Sequence, residues 1–324
     1  MSDSNPDTAV PALKLFGLRE GKYSYRGLLW FAGVYLGAFL LAGLLAPPLY
    51  ALVGWLAERG GEESLWAYLH SKPFDRYVDR VRMLATAVAV LWLIRYCGLW
   101  GRFGFDWSRN GTRQFLWAFA AGVIMLGLML PLQFVFLDLQ WQLPRAFPGL
   151  LQALLAAVLA ASLLSWLEEA IFRGMLLRIF WTAFARWTAI LLSAFVFAIV
   201  HFKRVPWDRD AEVGLWSGLE VAGMGVFSFI YTFELFHFVN LLLAGILLNL
   251  VFLRTRNLAA CMGLHAGWVT VRGLWGDWVV VAESPATVWV GSRGVVDGIL
   301  PIFILLAVIV WLALPPASKP VSVH

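Results

Sequence analysis

Charge is what this sequence has least of. Only 14% of its 324 residues are Asp, Glu, Lys or Arg, where a soluble domain carries about a quarter. A water-soluble fold is excluded on that ground, since no soluble domain can hide so much apolar surface. Intrinsic disorder is excluded more firmly, because disordered chains are polar. Cysteine is almost absent. Cys97 and Cys261 are the only two, and neither belongs to a CxxC or Cys/His cluster. That leaves no zinc ribbon and no disulfide framework, and each reads as a small apolar residue in a packed helix. The stretch Met1 to Pro11 is polar and carries Asp3 and Asp7, so no signal peptide is expected. The net charge of +5 is spread along the chain with no patch of interleaved bases and aromatics. A nucleic-acid partner is therefore not expected, and the basic balance fits loops flanking a bilayer.

What the sequence does have is apolar residues, 61% of the total, with 18 Trp. Apolar runs long enough to cross a bilayer cover Gly27–Trp55, Met83–Trp100, Phe115–Leu137, a stretch opening at Gly149, Trp187–Phe202, Phe238–Leu253, Leu258–Trp275 and Ile299–Leu314. Pro47 and Pro48 interrupt the first, and Arg95 lies inside the second. The expected fold is all-α, a polytopic membrane bundle of about eight transmembrane helices. Val213–Phe236 is also apolar but holds Glu220 and Glu234, and it reads as an extra span, a re-entrant piece or an interfacial helix. The expected divisions are a cytoplasmic segment 1–26, N-terminal membrane helices 27–148, a core 149–275, and a last loop, helix and tail 276–324. Lys and Arg counts in alternating loops favour both termini inside by a small margin.

Ionisable groups inside apolar runs are costly, about 2.5–3.5 kcal/mol each at mid-helix, and mark cavities or function. Ser165 to Gly174 holds Glu168, Glu169 and Arg173 within six residues. Glu169 and Arg173 are four apart and share a helix face, so they can pair. Glu168 points about 100° away. Arg173 then neutralises Glu169 and leaves Glu168 for chemistry. The bland alternative is a helix end with two acids and a base at the water boundary. Of the five histidines, His324 is terminal, His70 lies in a polar loop and His237 at a span boundary. His201 closes the fifth run and His265 sits inside the seventh. The break between the fourth and fifth runs is centred near Phe184. Glu168 precedes it by sixteen residues and His201 follows by seventeen, which in an antiparallel hairpin puts both about 24–26 Å from the turn. A carboxylate that deprotonates water, beside an imidazole that orients the water, binds a metal or stabilises an oxyanion, makes a hydrolytic centre. A helix from Gly149 to Phe180 would be about 48 Å long, beyond the ~30 Å hydrocarbon core, and must protrude, tilt or break.

The pattern Glu168-Glu169-x-x-x-Arg173-Gly174, then Phe197-x-x-x-His201, then His265 resembles the CPBP intramembrane proteases. These include type II CAAX prenyl endopeptidases and the bacteriocin-processing or self-immunity Abi proteins. The resemblance covers roughly Leu150 to Val271. It implies an intramembrane endopeptidase in which Glu168 activates water and Glu169 with Arg173 supports it. His201 would hold water or a metal, and His265 would stabilise the oxyanion. It leaves two options for a cofactor, zinc held by Glu168, His201 and His265 with Glu169 as base, or no metal at all. The substrate implied is a peptide or membrane protein, lipidated in one family branch, and the location a bacterial inner membrane. One position departs from the family. The residue four after His265 is Val269, where the family has Asn or a similar polar residue. Asn249 lies seven residues before Arg256 and His265 nine after it, within about 3 Å in depth, so Asn249 is a candidate for the missing oxyanion donor. The departure gives weight to a second reading, an inactive homologue acting as an immunity or chaperone-like binding protein. A proton-coupled carrier is a third class, disfavoured because no paired inverted halves with broken helices are visible.

Overall fold

The computed structural model describes residues 26–96, 108–143, 147–202, 205–208, 211–282, 284–292 and 295–314. Cys97, His324 and the segment 1–25 lie outside them. The described residues form a helical membrane bundle. The helices are α1 (Arg26–Gly60), α2 (Leu65–His70), α3 (Phe74–Tyr96), α4 (Arg109–Gly127), α5 (Leu130–Phe136), α6 (Phe147–Glu169), α7 (Leu177–Ala183), α8 (Arg186–Ile199), α9 (Ser217–Val226), α10 (Ser228–Thr232), α11 (Leu235–Thr255), α12 (Leu258–Trp278), α13 (Thr287–Val290) and α14 (Leu300–Ala313). A π-helical segment, Ala170–Leu176, joins α6 to α7 without a break. Strands β1 (Leu139–Trp141) and β2 (Val279–Val281) make a short antiparallel ribbon, with Gln140 opposite Val280.

Each of the eight apolar runs has most of its described residues in helix. Among the described residues, four helical stretches have the length and composition to cross a membrane, Phe31–Gly60, Arg109–Phe136, Gly149–Trp181 and Leu235–Thr255. Arg186–Ile199 and Leu300–Ala313 are shorter apolar helices. The long helix beginning near Gly149 meets its length problem by neither breaking nor stopping. It changes winding at Ala170, immediately after the two glutamates. Pro47 and Pro48 do not interrupt α1 either. Pro47 has no N–H for the carbonyl of Gly43, and that carbonyl faces Gly218 at the start of α9, where a Cβ would collide with it. Val213–Phe236 is no extra span. Its helices α9 and α10 have ten and five residues, at most about 15 Å each, and α9 lies against α1.

α12 is the centre of the bundle. Ten consecutive residues, Leu258 to Gly267, are buried, and α4, α6 and α11 pack around them. A helix surrounded by protein needs less hydrophobicity than one facing lipid, so α12 tolerates the buried Gly263, His265 and Gly267. Gly263 and Gly267 are four apart and share one face. A Cβ on either would strike the α4 backbone, at the carbonyls of Phe115 and Phe119. Such small residues let two membrane helices approach closely. At the far end of α12, buried Gln133 ties three segments together. Its Oε1 accepts from Trp275 Nε1 at 2.6 Å, and its amide hydrogens face the carbonyls of Val290, Gly291 and Ser292 at 2.8–3.0 Å.

Gly267→Val should therefore destabilise the bundle by about 1–3 kcal/mol through overpacking. Gly273→Ala, which meets nothing within 4 Å, should be neutral or slightly stabilising. Thermal unfolding of both variants in the same detergent checks the contrast. Equal melting temperatures would mean that the α4–α12 approach is not tight.

Candidate active site

The site forms where α6, α8, α11 and α12 meet. Its floor is the Glu169–Arg173 pair. Both side chains are fully buried, at 0% exposure, and Arg173 Nη1 donates to Glu169 Oε1 at 2.9 Å. The π segment begins between them and winds more widely than an α-helix, yet it keeps the four-residue pair on one face. Arg173 spends its other donors on the scaffold. Nε reaches Asn249 Oδ1 at 3.2 Å and Nη2 the carbonyl of Gly245 at 3.2 Å. The guanidinium also lies 4.7 Å from the centre of the Phe197 ring. Asn249 in turn donates from Nδ2 to the carbonyl of Ile190 at 3.0 Å. One arginine thus links α6, α8 and α11 from inside.

Asn249 does reach the site, beside the Glu169–Arg173 pair. Its Oδ1 is held by Arg173 and its Nδ2 by α8, so both ends of the amide serve the scaffold. Depth placed it correctly; depth alone could not say which way the amide turned. Gly245, which the sequence reading missed, sits one turn earlier on the same face. Its missing side chain lets α11 close on α8, where a Cβ would lie 2.9 Å from Ala194 Cα.

His265 stands on the same carboxylate. Its Nδ1 lies 2.8 Å from Glu169 Oε1. A carboxylate paired with arginine only accepts, so Nδ1 is the donor. His201 lies in the turn just after α8, and its Nδ1 is 2.6 Å from the carbonyl of Phe197. A carbonyl also only accepts, so that Nδ1 carries a proton too. The i−4 spacing of Phe197-x-x-x-His201 is the signal for this bond. Both imidazoles therefore turn Nε2 outward, and both Nε2 atoms face Glu168. Glu168 Oε2 is 3.3 Å from His201 Nε2 and 3.7 Å from His265 Nε2. The sequence depth argument for Glu168 and His201 is realised as this contact. Burial is graded: Glu169 is sealed, Glu168 and His265 are nearly so, and His201 is partly open. Phe197 walls the site, with its ring 4.2 Å from that of His201 and 6.0 Å from that of His265.

Glu168, His201 and His265 are also the donor set that the sequence offers to zinc. Their Nδ1 atoms are held as those of metal-binding histidines are. Among the described residues, however, no group of three or more His, Cys, Asp or Glu side chains is arranged to hold a metal ion. Val269 lies one turn beyond His265 on α12 and is half-buried, so it brings an apolar side chain to this face.

The network makes a stability prediction. Arg173→Met leaves the Glu169 carboxylate buried with only His265 beside it, and should cost about 3–5 kcal/mol. Asn249→Ala should cost about 1–3 kcal/mol by stranding donors on Arg173 and the Ile190 carbonyl. Glu168→Gln should change stability least. Melting temperatures of the three variants in one detergent check the order. A melt of Asn249→Ala equal to wild type would remove Asn249 from the scaffold.

Residues 148–271 match a family model described as type II CAAX prenyl endopeptidase Rce1-like. No curated protein and no solved structure matches the chain. The matched segment contains every side chain of the site, from Glu168 to His265, in the order and spacing from which the resemblance was drawn. Over these residues the helical core is similar to the type II CAAX prenyl endopeptidases.

Proposed function

We propose that this integral membrane protein is an intramembrane endopeptidase in which Glu168 is the general base. The observation that carries the reading is the placement of Glu168 Oε2 beside two Nε2 atoms whose rings are fixed through Nδ1. Water hydrogen-bonded between Glu168 and His201 gives its proton to the carboxylate as its oxygen attacks the peptide carbonyl. His265 in its doubly protonated form turns Nε2–H toward the oxyanion. Its Nδ1–H is held by Glu169 Oε1. Collapse of the tetrahedral intermediate breaks the C–N bond, and the proton on Glu168 passes to the leaving amine. The Glu169–Arg173 pair takes no proton in this scheme and holds His265 in position.

The description of the matched family names prenyl endopeptidases. A peptide carrying a lipid is the substrate class that suits a site set among apolar helices. Val269 favours one other reading, a homologue that binds such a peptide without cutting it. A missing oxyanion donor costs about 2.7–4 kcal/mol in known hydrolases.

The test is a mass-spectrometric comparison of membrane-protein termini in host cells carrying wild type, Glu168→Gln or Val269→Asn. The protease reading expects termini present with wild type, lost with Glu168→Gln, and more abundant with Val269→Asn. Termini identical in wild type and Glu168→Gln at equal expression, with new ones only in Val269→Asn, would establish the binding homologue.

A further inference from the structure

The end of the bundle away from His201 is basic. Two helix hairpins turn there, α7–α8 at Phe184 and α11–α12 at Arg256. Asn249 bonds the carbonyl of Ile190, and Gly245 abuts Ala194. α8 and α11 are therefore antiparallel, and the same register brings Arg186 level with Leu253, beside Arg254 and Arg256. α4 runs parallel to α12, with Phe115 against Gly263 and Phe119 against Gly267, which sets Arg109 and Arg113 at this end too. Arg254 donates to the carbonyl of Leu314, so α14 also finishes here. No acid balances these charges from the same helices. α4, α7, α8, α11 and α14 contain no Asp or Glu, and α12 has only Asp277, near its other end.

Two further observations centre the group on Arg178 and Arg256. Arg178, on α7, is buried at 4% exposure, and its guanidinium lies 5.4 Å from the centre of the Phe252 ring on α11. The charged group facing it is Arg256, another cation. Arginine in a membrane bundle is costly and marks a function or a partner, and two like charges in a poorly screened place raise that cost. Arg256 itself is exposed and holds φ at 54°, a left-handed helix end where glycine is the usual residue. An arginine is thus kept at a position that suits glycine better. Both arginines have interactions of their own in the resting chain, to which an arriving anion would add. Trp187 and Trp311 are exposed at this same end, and exposed tryptophans mark the headgroup level of a bilayer.

We infer that the paired tips of the α7–α8 and α11–α12 hairpins bind the phosphate of an anionic phospholipid. Arg256 is the direct ligand, with Arg186 and Arg254 at the rim. Arg178 lies behind Arg256 and adds a buried charge that water screens little. A guanidinium fork matches phosphate oxygens with parallel N–H···O bonds, and basic pockets between membrane helices take anionic headgroups. The acyl chains would run along the exposed apolar face of α8, past Trp187 and Leu191. Arg178 is ten residues beyond Glu168, about 15 Å along the same helical rod. The lipid site is therefore separate from the glutamates and does not rest on the protease reading.

The test is thermal unfolding of the full chain in one neutral detergent, titrated with phosphatidylglycerol, phosphatidylcholine or inorganic phosphate. Wild type should melt higher with phosphatidylglycerol than with phosphatidylcholine. In Arg256→Gly the apparent affinity for phosphatidylglycerol should fall about fivefold. Glycine suits the left-handed backbone, so without lipid that variant should melt no lower than wild type, which separates lost binding from lost folding. Arg178→Gln should weaken the same response. Arg59→Gln should leave it intact, because α1 ends on the other side, where Tyr50 packs on Phe74 and Phe74 on Trp207. A response to phosphatidylglycerol alone names the lipid as the source, and an equal response to inorganic phosphate names a soluble phosphate at the same site. Equal melts in both lipids with no response to phosphate overturn the assignment. So does a phosphatidylglycerol response that Arg256→Gly leaves unchanged.

Discussion

The buried pair of Glu169 and Arg173 is the interaction on which the rest of the site depends. Neither charge reaches water, so each exists only because the other does. Buried pairs of this kind seldom add net stability compared with apolar packing. What this one provides is position. Glu169 Oε1 receives both Arg173 and His265, so the imidazole is oriented by an anion that is itself fixed by three helices. Asn249 and the Gly245 carbonyl take further arginine donors, while the second carboxylate oxygen of Glu169 is buried with no hydrogen-bond partner among the described residues.

From that floor the division between two adjacent glutamates follows. Residues next to each other on a helix point about 100° apart, so Glu169 meets Arg173 and the Nδ1 side of His265, and Glu168 meets the Nε2 side of both histidines. The same residue type then has two roles set by environment. Glu169 is locked in a network, and Glu168 faces the Nε2 atoms of His201 and His265. The π-helical winding just after them is a departure from regular helix of the kind that recurs at functional sites. It sits where α6 would otherwise have run on unchanged toward α7.

Much of this was legible in the sequence because it depends on short-range spacing. The i,i+4 relation of Glu169 and Arg173, and of Phe197 and His201, survives any packing detail. Counting from the Phe184 turn was enough to bring Glu168 and His201 to one level. Three features were not legible. Asn249 was placed by depth, but the direction of a side-chain amide depends on neighbours from α6 and α8 that spacing does not reveal. The π segment has no compositional marker, since Ala170–Leu176 reads as ordinary apolar helix. The short helices α9 and α10 were one of three options, because apolar content cannot distinguish a span from a piece packed on α1. Their glycines and serines were the available sign of close packing, and Gly218 against Gly43 shows where it was spent.

The central claim is that the two glutamates are unequal, one structural and one chemical. Measuring melting temperature and peptide cleavage side by side for Glu168→Gln and Glu169→Gln tests it most directly. The account predicts that Glu168→Gln keeps the wild-type melt and loses cleavage by at least about a hundredfold. It predicts that Glu169→Gln lowers the melt by several degrees. A Glu168→Gln protein that melts early, or a Glu169→Gln protein that melts like wild type, would contradict it.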